Sequence, residues 1–416
     1  MLFDCRGDSG NEFHCSHMIP YGRHCIEEDD IAAVVEVLGG DYLTSGPMID
    51  RFEEAFAKRT TAKYAVVCSS GTAALHLATM ALKLGPGQAA IVPSITFLAT
   101  ANAVRFTGAE VIFADVDPET GLMRAEHFEE AIERGRKLGW NVRAVFPVHL
   151  NGQCVDVEAI ASVADREDIS VVIDASHAVG AEHLVADEWR PVGSGLRVRM
   201  TTFSFHPVKT IAMGEGGAVT TNCPMLAGRL RLLRSHGMSR DPDQFTERAQ
   251  ALDAKGEPHR WYYEMQEPGL NYRASDIHCA LGLSQLGKLG RFVEARRELA
   301  DRYDALLTRF APILRPIRRV PYCRPAWHLY PVLIRFDETG ISRDIAMSDL
   351  RENGFATQVH YIPVHRQPYY SRRYAIQRLE GADDYYERIL TLPLYLGITA
   401  AEQQKVCDLL CAALRI

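Results

Sequence analysis

Between residues 64 and 221 the chain alternates short runs of β-branched and small apolar residues with longer stretches of helical spacing. The apolar runs predict strands at 64–68, 89–92, 110–114, 143–149, 169–174, 200–205 and 216–221. Helical runs near 72–83, 98–107, 126–136, 156–165 and 225–235 separate several of them. Strands that read as near-continuous apolar runs are buried on both faces, and the helices between them supply the cover. The pattern therefore predicts an α/β fold: a mainly parallel seven-stranded sheet with helices on both faces. The last two strands follow one another without a long helix, which permits an antiparallel strand at the edge of the sheet.

Beyond residue 240 the pattern loosens into a polar stretch, Asp241 to Pro258, followed by Trp261, Tyr262 and Tyr263. A loop of that length is usually functional or mobile. A long helical run from Ser275 to about Phe310 then leads into a smaller α/β unit with a strand near 328–335. The expected division is a flexible extension over 1–17, a large domain with its N-terminal segment over 18–270, and a linking helix with a small C-terminal domain over 271–416. No period of 20 to 50 residues recurs, so a repeat architecture is not expected.

Four segments carry chemistry. Lys209 follows a short apolar strand and precedes the cluster Gly214-Glu-Gly-Gly217, a place where an amine can leave bulk water, lose its proton and attack an aldehyde. The strand that ends in Ser69-Ser-Gly-Thr72 runs straight into a strong helix former, so Gly71, Thr72 and Ala73 sit at a helix N-terminus suited to a phosphate dianion. A third strand ends in Asp174, whose carboxylate can pair with a protonated ring nitrogen, with His177 three residues on. Phe97, just past a strand that stops at Pro93, can stack on a flat ring. Each has a plainer reading: a surface lysine, a helix cap, a turn cap and a core phenylalanine. Their co-occurrence in this order is what points to pyridoxal phosphate.

With these motifs in place, the chain resembles the DegT family of nucleotide-sugar aminotransferases from about Met18 to its C-terminus. The likeness rests on Ser70-Gly-Thr-Ala-Ala-Leu75, Asp174-Ala-Ser-His-Ala178 and Ser204-Phe-His-Pro-Val-Lys209 in family order. It is narrower still in Ile19-Pro-Tyr-Gly-Arg23, Asp41-Tyr-Leu-Thr-Ser-Gly-Pro47, Tyr262 to Glu267, Asn271 to Asp276 and His360 to Tyr370. These look like the members that act in pseudaminic acid synthesis and form UDP-4-amino-4,6-dideoxy-N-acetyl-β-L-altrosamine.

The resemblance implies the fold type I arrangement of pyridoxal phosphate enzymes and an amino transfer from L-glutamate to a nucleotide-linked keto sugar. It implies that Lys209 bonds to the cofactor aldehyde, Asp174 pairs with the pyridine nitrogen, His177 faces the phenolic oxygen and Phe97 stacks on the ring. The phosphate would meet Thr72, Ala73 and the Ser204 hydroxyl, and Asn271 would reach it from a partner subunit, making a homodimer with shared sites. Tyr21, Arg23, Thr44, His328 and His365 fall in segments resembling sugar-proximal loops. Many relatives carry glutamine where this chain has His177, whose protonation would then tune the bonded amine. Relatives that dehydrate sugars carry histidine at the lysine position, so Lys209 favours transamination.

Composition narrows the rest. A chain of 416 residues with 47% hydrophobic and 24% charged residues reads as an ordinary globular protein. A net charge of -7 offers no basic stripe for nucleic acid, and no recognition helix with a basic face supports a regulator of transcription. Ser69 to Ala74 lacks the Gly-x-Gly-x-x-Gly of a dinucleotide-dependent oxidoreductase. No apolar run approaches the roughly 20 residues of a membrane span, and the N-terminus lacks the order of a secretion signal, so a cytoplasmic enzyme is expected. The ten cysteines are scattered without a Cys-x-x-Cys pair and read as reduced thiols, with Cys68 and Cys279 inert. Cys5, His14, Cys15, His17, His24 and Cys25 fit no usual zinc spacing, and no metal is expected.

Overall fold

The computed structural model describes residues 18–375 and 378–416. The extension expected over 1–17, with Cys5, His14, Cys15 and His17, lies outside the described residues.

Seven strands form the main sheet: β1 (Tyr64–Cys68), β2 (Gln88–Pro93), β3 (Glu110–Ala114), β4 (Asn141–Val145), β5 (Ser170–Asp174), β6 (Met200–Ser204) and β7 (Gly217–Thr221). Their order is β1-β7-β6-β5-β4-β2-β3. From β6 through β3 every neighbouring pair is parallel, whereas β7 is antiparallel to both β1 and β6. The antiparallel strand thus lies one place inside the sheet and not at the edge, the position the sequence permitted. The reason lies in burial. Every residue of Gly217–Thr221 is buried, so β7 needs a partner on each side, and β1 takes the outer one. Gly217 is essential to that closeness, since a Cβ there would stand 2.2 Å from the Ser70 carbonyl oxygen.

Seven helices precede or wrap this sheet: α1 (Glu28–Leu38), α2 (Pro47–Thr60), α3 (Gly71–Ala81), α4 (Leu98–Phe106), α5 (Ala125–Lys137), α6 (Val157–Arg166) and α7 (Pro224–Arg234). The strands they cover are almost wholly apolar and buried, as a sheet shielded on both faces requires. Residues 240–270 carry only a 3-10 turn, a four-residue helix and half of a two-residue strand pair.

The long helix α8 (Asp276–Leu307) starts at Ser275, whose hydroxyl accepts from the His278 N–H. Leu289, Phe292, Arg296, Leu299, Tyr303 and Leu307 recur at spacings of three and four along its buried stripe. An arginine in that stripe is unusual. Beyond α8, strands β8 (Leu314–Pro316), β9 (Tyr330–Ile334) and β10 (Ile389–Leu392) make an antiparallel sheet, accompanied by helices α9 (Arg343–Glu352) and α10 (Ala400–Leu414).

Candidate active site

The C-terminal ends of β5 and β6 and the turn after β1 open onto a cavity of about 760 Å³. This is where open α/β sheets hold ligands, because the chain reversals there leave a crevice. Its floor is built by short strand-to-loop transitions. Asp174, the last residue of β5, is buried, with one carboxylate oxygen accepting from the Thr100 hydroxyl at 2.8 Å. The other accepts from the Ser176 N–H at 3.0 Å and its hydroxyl at 2.6 Å. A carboxylate so supplied with donors is held in one orientation.

Beside it, Ser70 caps α3 by accepting from the Ala73 N–H at 3.1 Å. The first N–H groups of a helix have no partner within the helix. Those of Gly71 and Thr72, which line the cavity, remain for a ligand. Gly71 is pressed against β6: a Cβ at this position would stand 2.6 Å from Ser204 Cβ.

Lys209 sits on the loop from β6 to β7, its N–H donating to the His206 carbonyl at 2.8 Å. The residue is partly exposed along its length, but its amine end is buried. Burial lowers its pKa to about 8, with Asp174 working in the opposite sense. Three histidines face it. His328 Nε2 lies 3.3 Å from Lys209 Nζ, and the His328 and His177 rings are 4.5 Å apart. Burial first, then the Lys209 charge, holds His177, His328 and His360 far below the usual histidine range.

His177 accepts from the Asn151 N–H at Nδ1, 3.3 Å away, which puts its proton on Nε2 to donate to the Tyr361 hydroxyl at 3.0 Å. It is therefore a fixed neutral donor. The tuning by protonation expected of it is opposed by its surroundings.

Of the residues singled out from sequence, Tyr21, Gly71, Thr72, Phe97, Asp174, His177, Ser204, Lys209 and His328 line this one cavity. Ala73 does not, being buried behind the turn with its N–H engaged by Ser70. Arg23, Thr44 and Asn271 are exposed and do not line their own chain's cavity. His365 is buried elsewhere, with Nδ1 2.6 Å from the Ser94 hydroxyl. Sequence reasoning passed over Thr100, Ser176, His360 and Tyr361. The last two stand in a segment already marked by resemblance, and Ser176 lies inside Asp174-Ala-Ser-His177.

Among the described residues no group of three or more His, Cys, Asp or Glu side chains is arranged to hold a metal ion. Among them, too, no helix is long and apolar enough to cross a membrane. The cavity suits pyridoxal phosphate instead: a buried amine with its pKa lowered to about 8 for the aldehyde, a buried carboxylate for the ring nitrogen and a helix N-terminus for the phosphate.

Comparison with known proteins agrees. The sequence profile of the DegT/DnrJ/EryC1/StrS aminotransferase family matches residues 24–411. Over 396 residues the chain is 36% identical to the spore coat polysaccharide biosynthesis protein SpsC of Bacillus subtilis (strain 168), covering 94% of this chain and 96% of that one. Helicobacter pylori PseC, an aminotransferase involved in the biosynthesis of pseudoaminic acid, superposes with a TM-score of 0.83 at 28% identity, over 96% of this chain and 99% of its own. The putative sugar aminotransferase Spr1654 of Streptococcus pneumoniae, in its PMP form, does so with a TM-score of 0.83 at 25% identity, over 96% and 98%. The chain belongs to the DegT/DnrJ/EryC1/StrS aminotransferase family and is a pyridoxal phosphate-dependent sugar aminotransferase of fold type I.

Proposed function

We propose that this enzyme moves the amino group of L-glutamate to the C4 ketone of a UDP-linked 4-keto-6-deoxy-N-acetylhexosamine, giving UDP-4-amino-4,6-dideoxy-N-acetyl-β-L-altrosamine in pseudaminic acid synthesis. The observation that carries amino transfer is the Lys209 amine, its pKa lowered by burial in the same cavity as Asp174. The likeness to PseC over nearly the whole of both chains supports the sugar, as does the presence of Tyr21 and the segment His360–Ile362 in the cavity wall.

Pyridoxal phosphate, when bound, supplies an aldehyde for the donor's amine and a ring that takes up the electrons freed at the donor's α carbon. Asp174 would hold the ring nitrogen protonated, Phe97 would stack on the ring, and His177 would face its phenolic oxygen. Gly71, Thr72 and Ser204 would hold the phosphate. Lys209 Nζ takes a proton from the α carbon of glutamate and, in the second half of the cycle, returns one to the sugar carbon that gains nitrogen. The amino group stays with the enzyme when 2-oxoglutarate leaves and is handed to the sugar that binds next, giving ping-pong kinetics.

In the same reading Asn271 completes the phosphate site across a homodimer in the cytoplasm. The large domain, 18–270, binds the cofactor, and 271–416 forms the linking helix and small domain.

A second reading, amination of another nucleotide-linked keto sugar at C4 or C3, is favoured by one observation: identity to SpsC, at 36%, exceeds that to PseC, at 28%. A panel of UDP- and dTDP-linked 3-keto and 4-keto sugars with glutamate separates the two. The proposal expects 2-oxoglutarate release and a 4-amino altro product only with the UDP 4-keto N-acetyl sugar. Turnover of a 3-keto or dTDP-linked sugar in its place overturns the assignment.

A further inference from the structure

Arg296 is the oddest residue in the buried stripe of α8. Its side chain is 2% exposed, and among the described residues its guanidinium has no carboxylate partner. Nη1 instead donates to three backbone carbonyls, those of Trp327 at 3.5 Å, His328 at 3.4 Å and Leu394 at 3.1 Å, while Nε has no acceptor. Burying a cation against carbonyl dipoles alone is costly, so stability does not explain it. What it does is fix the chain at His328.

That chain is fixed from the other side as well. The His328 N–H donates to the Asn151 carbonyl at 3.0 Å, and the Ala326 N–H to the Gly152 carbonyl at 3.2 Å. Gly152 has a φ of +105°, and a Cβ on it would stand 2.2 Å from the Ala326 carbonyl oxygen, so only glycine admits this contact. The same turn supplies the Asn151 N–H that orients His177. One turn of backbone therefore sets both imidazoles.

Held this way, the His328 ring has among the described residues a single hydrogen-bond partner. Nε2 meets Lys209 Nζ at 3.3 Å, and Nδ1 is buried with no partner. A buried orphan nitrogen calls for a reason. An unpaired lone pair inside a protein is tolerated better than an unpaired N–H, which favours a bare Nδ1 and a proton on Nε2. We infer that His328, clamped by Arg296, is a catalytic partner of Lys209 that donates from Nε2–H to the lone pair of the lysine's free amine. When Lys209 Nζ gains a proton the contact becomes donor against donor, which favours passing that proton to the next acceptor.

This inference rests on the reading of Lys209 given above. The groups that act on the pair are Asp174, His177 and His360 in the cavity, with Arg296 behind His328, while Glu215 and His206 line the same cavity. Of the groups that act, Asp174 alone favours the charged lysine in the cavity's balance, whereas His177, His328 and His360 are neutral.

The test follows capture of pyridoxal 5'-phosphate by the cofactor-free full-length chain, read by absorbance against pH and mapped by borohydride. In the parent, capture is expected to rise with pH and reach half its maximum near 8. His328→Gln offers an oxygen that accepts from a charged lysine. Its half-rise is expected to move up by about one pH unit, a roughly tenfold slower capture at pH 7. Arg296→Lys, which keeps the charge but makes fewer carbonyl contacts, is expected to move it in the same direction by less. A profile unmoved in both variants, with the label still on Lys209, overturns the inference and leaves the lysine assignment standing. Label on a different lysine overturns both.

Discussion

The floor and the roof of the cavity are built by different means. The floor comes from strand ends and one helix start, Asp174, Ser204, Gly71 and Thr72, and its central carboxylate has three donors within 3.0 Å. The roof comes from irregular chain, His328 and His360–Tyr361, where His328 Nδ1 is buried without a partner. A site whose floor is saturated with hydrogen bonds can hold a charged cofactor in one pose. A roof with spare polar atoms can respond to what enters. The difference predicts that floor substitutions abolish function or unseat the cofactor, and that roof substitutions change rates and pH profiles.

The largest effect is expected between the two, at Lys209. Lys209→Met should reduce turnover by roughly 10⁴-fold or more, since nucleophile and proton carrier are lost together. It should also stabilise the cofactor-free protein. The folded pKa, about 8, lies below the ordinary lysine value of 10.5, so between these values the unfolded chain binds a proton that the folded chain lacks, and stability rises with pH across that window. Below about 8 the full penalty applies, roughly 3 kcal/mol at most. Denaturant unfolding of cofactor-free parent and Lys209→Met should therefore differ most at pH 7 and converge above pH 10. A constant gap would mean that the amine is not buried in its charged form.

The floor is next. Gly71→Ala drives a methyl group to 2.6 Å from Ser204 Cβ, and because both ends are backbone-anchored neither can swing aside. A cost of about 1–3 kcal/mol is expected, with weaker cofactor retention on dialysis. Adding Ser204→Gly removes the clashing atom and should recover part of the stability. No recovery would place the strain elsewhere.

The same contrast explains what could be read from sequence. Asp174, Lys209 and Gly71 each stand where an apolar strand gives way to a turn, a signal carried by the neighbours in sequence. The roof has no such signal. Tyr361 reaches His177 across 184 positions, and Thr100 reaches Asp174 across 74, so both depend on packing that no local pattern records. His365 drew notice as a histidine in a resembling segment, yet it packs against Ser94, while Tyr361, four residues earlier, enters the cavity. The sheet shows the same limit. Its strands were evident from apolar runs, but the place of β7 between β1 and β6 is set by burial of both its sides.

The smallest effect should come from the bond by which the roof reaches His177. Tyr361→Phe removes the acceptor for His177 Nε2–H and leaves His177 oriented by the Asn151 N–H alone. The loss of one neutral hydrogen bond is worth about 1 kcal/mol, or roughly a fivefold fall in kcat. Melting temperature should barely move, because the ring still fills its place against Phe97, 6.0 Å between centroids. The sharper readout is the pH dependence of the bound cofactor's absorbance, which should shift as His177 turns toward the phenolic oxygen. A fall as deep as that of Lys209→Met would erase the distinction between roof and floor, because it would make the tyrosine indispensable to the chemistry and not merely to the orientation of its neighbour.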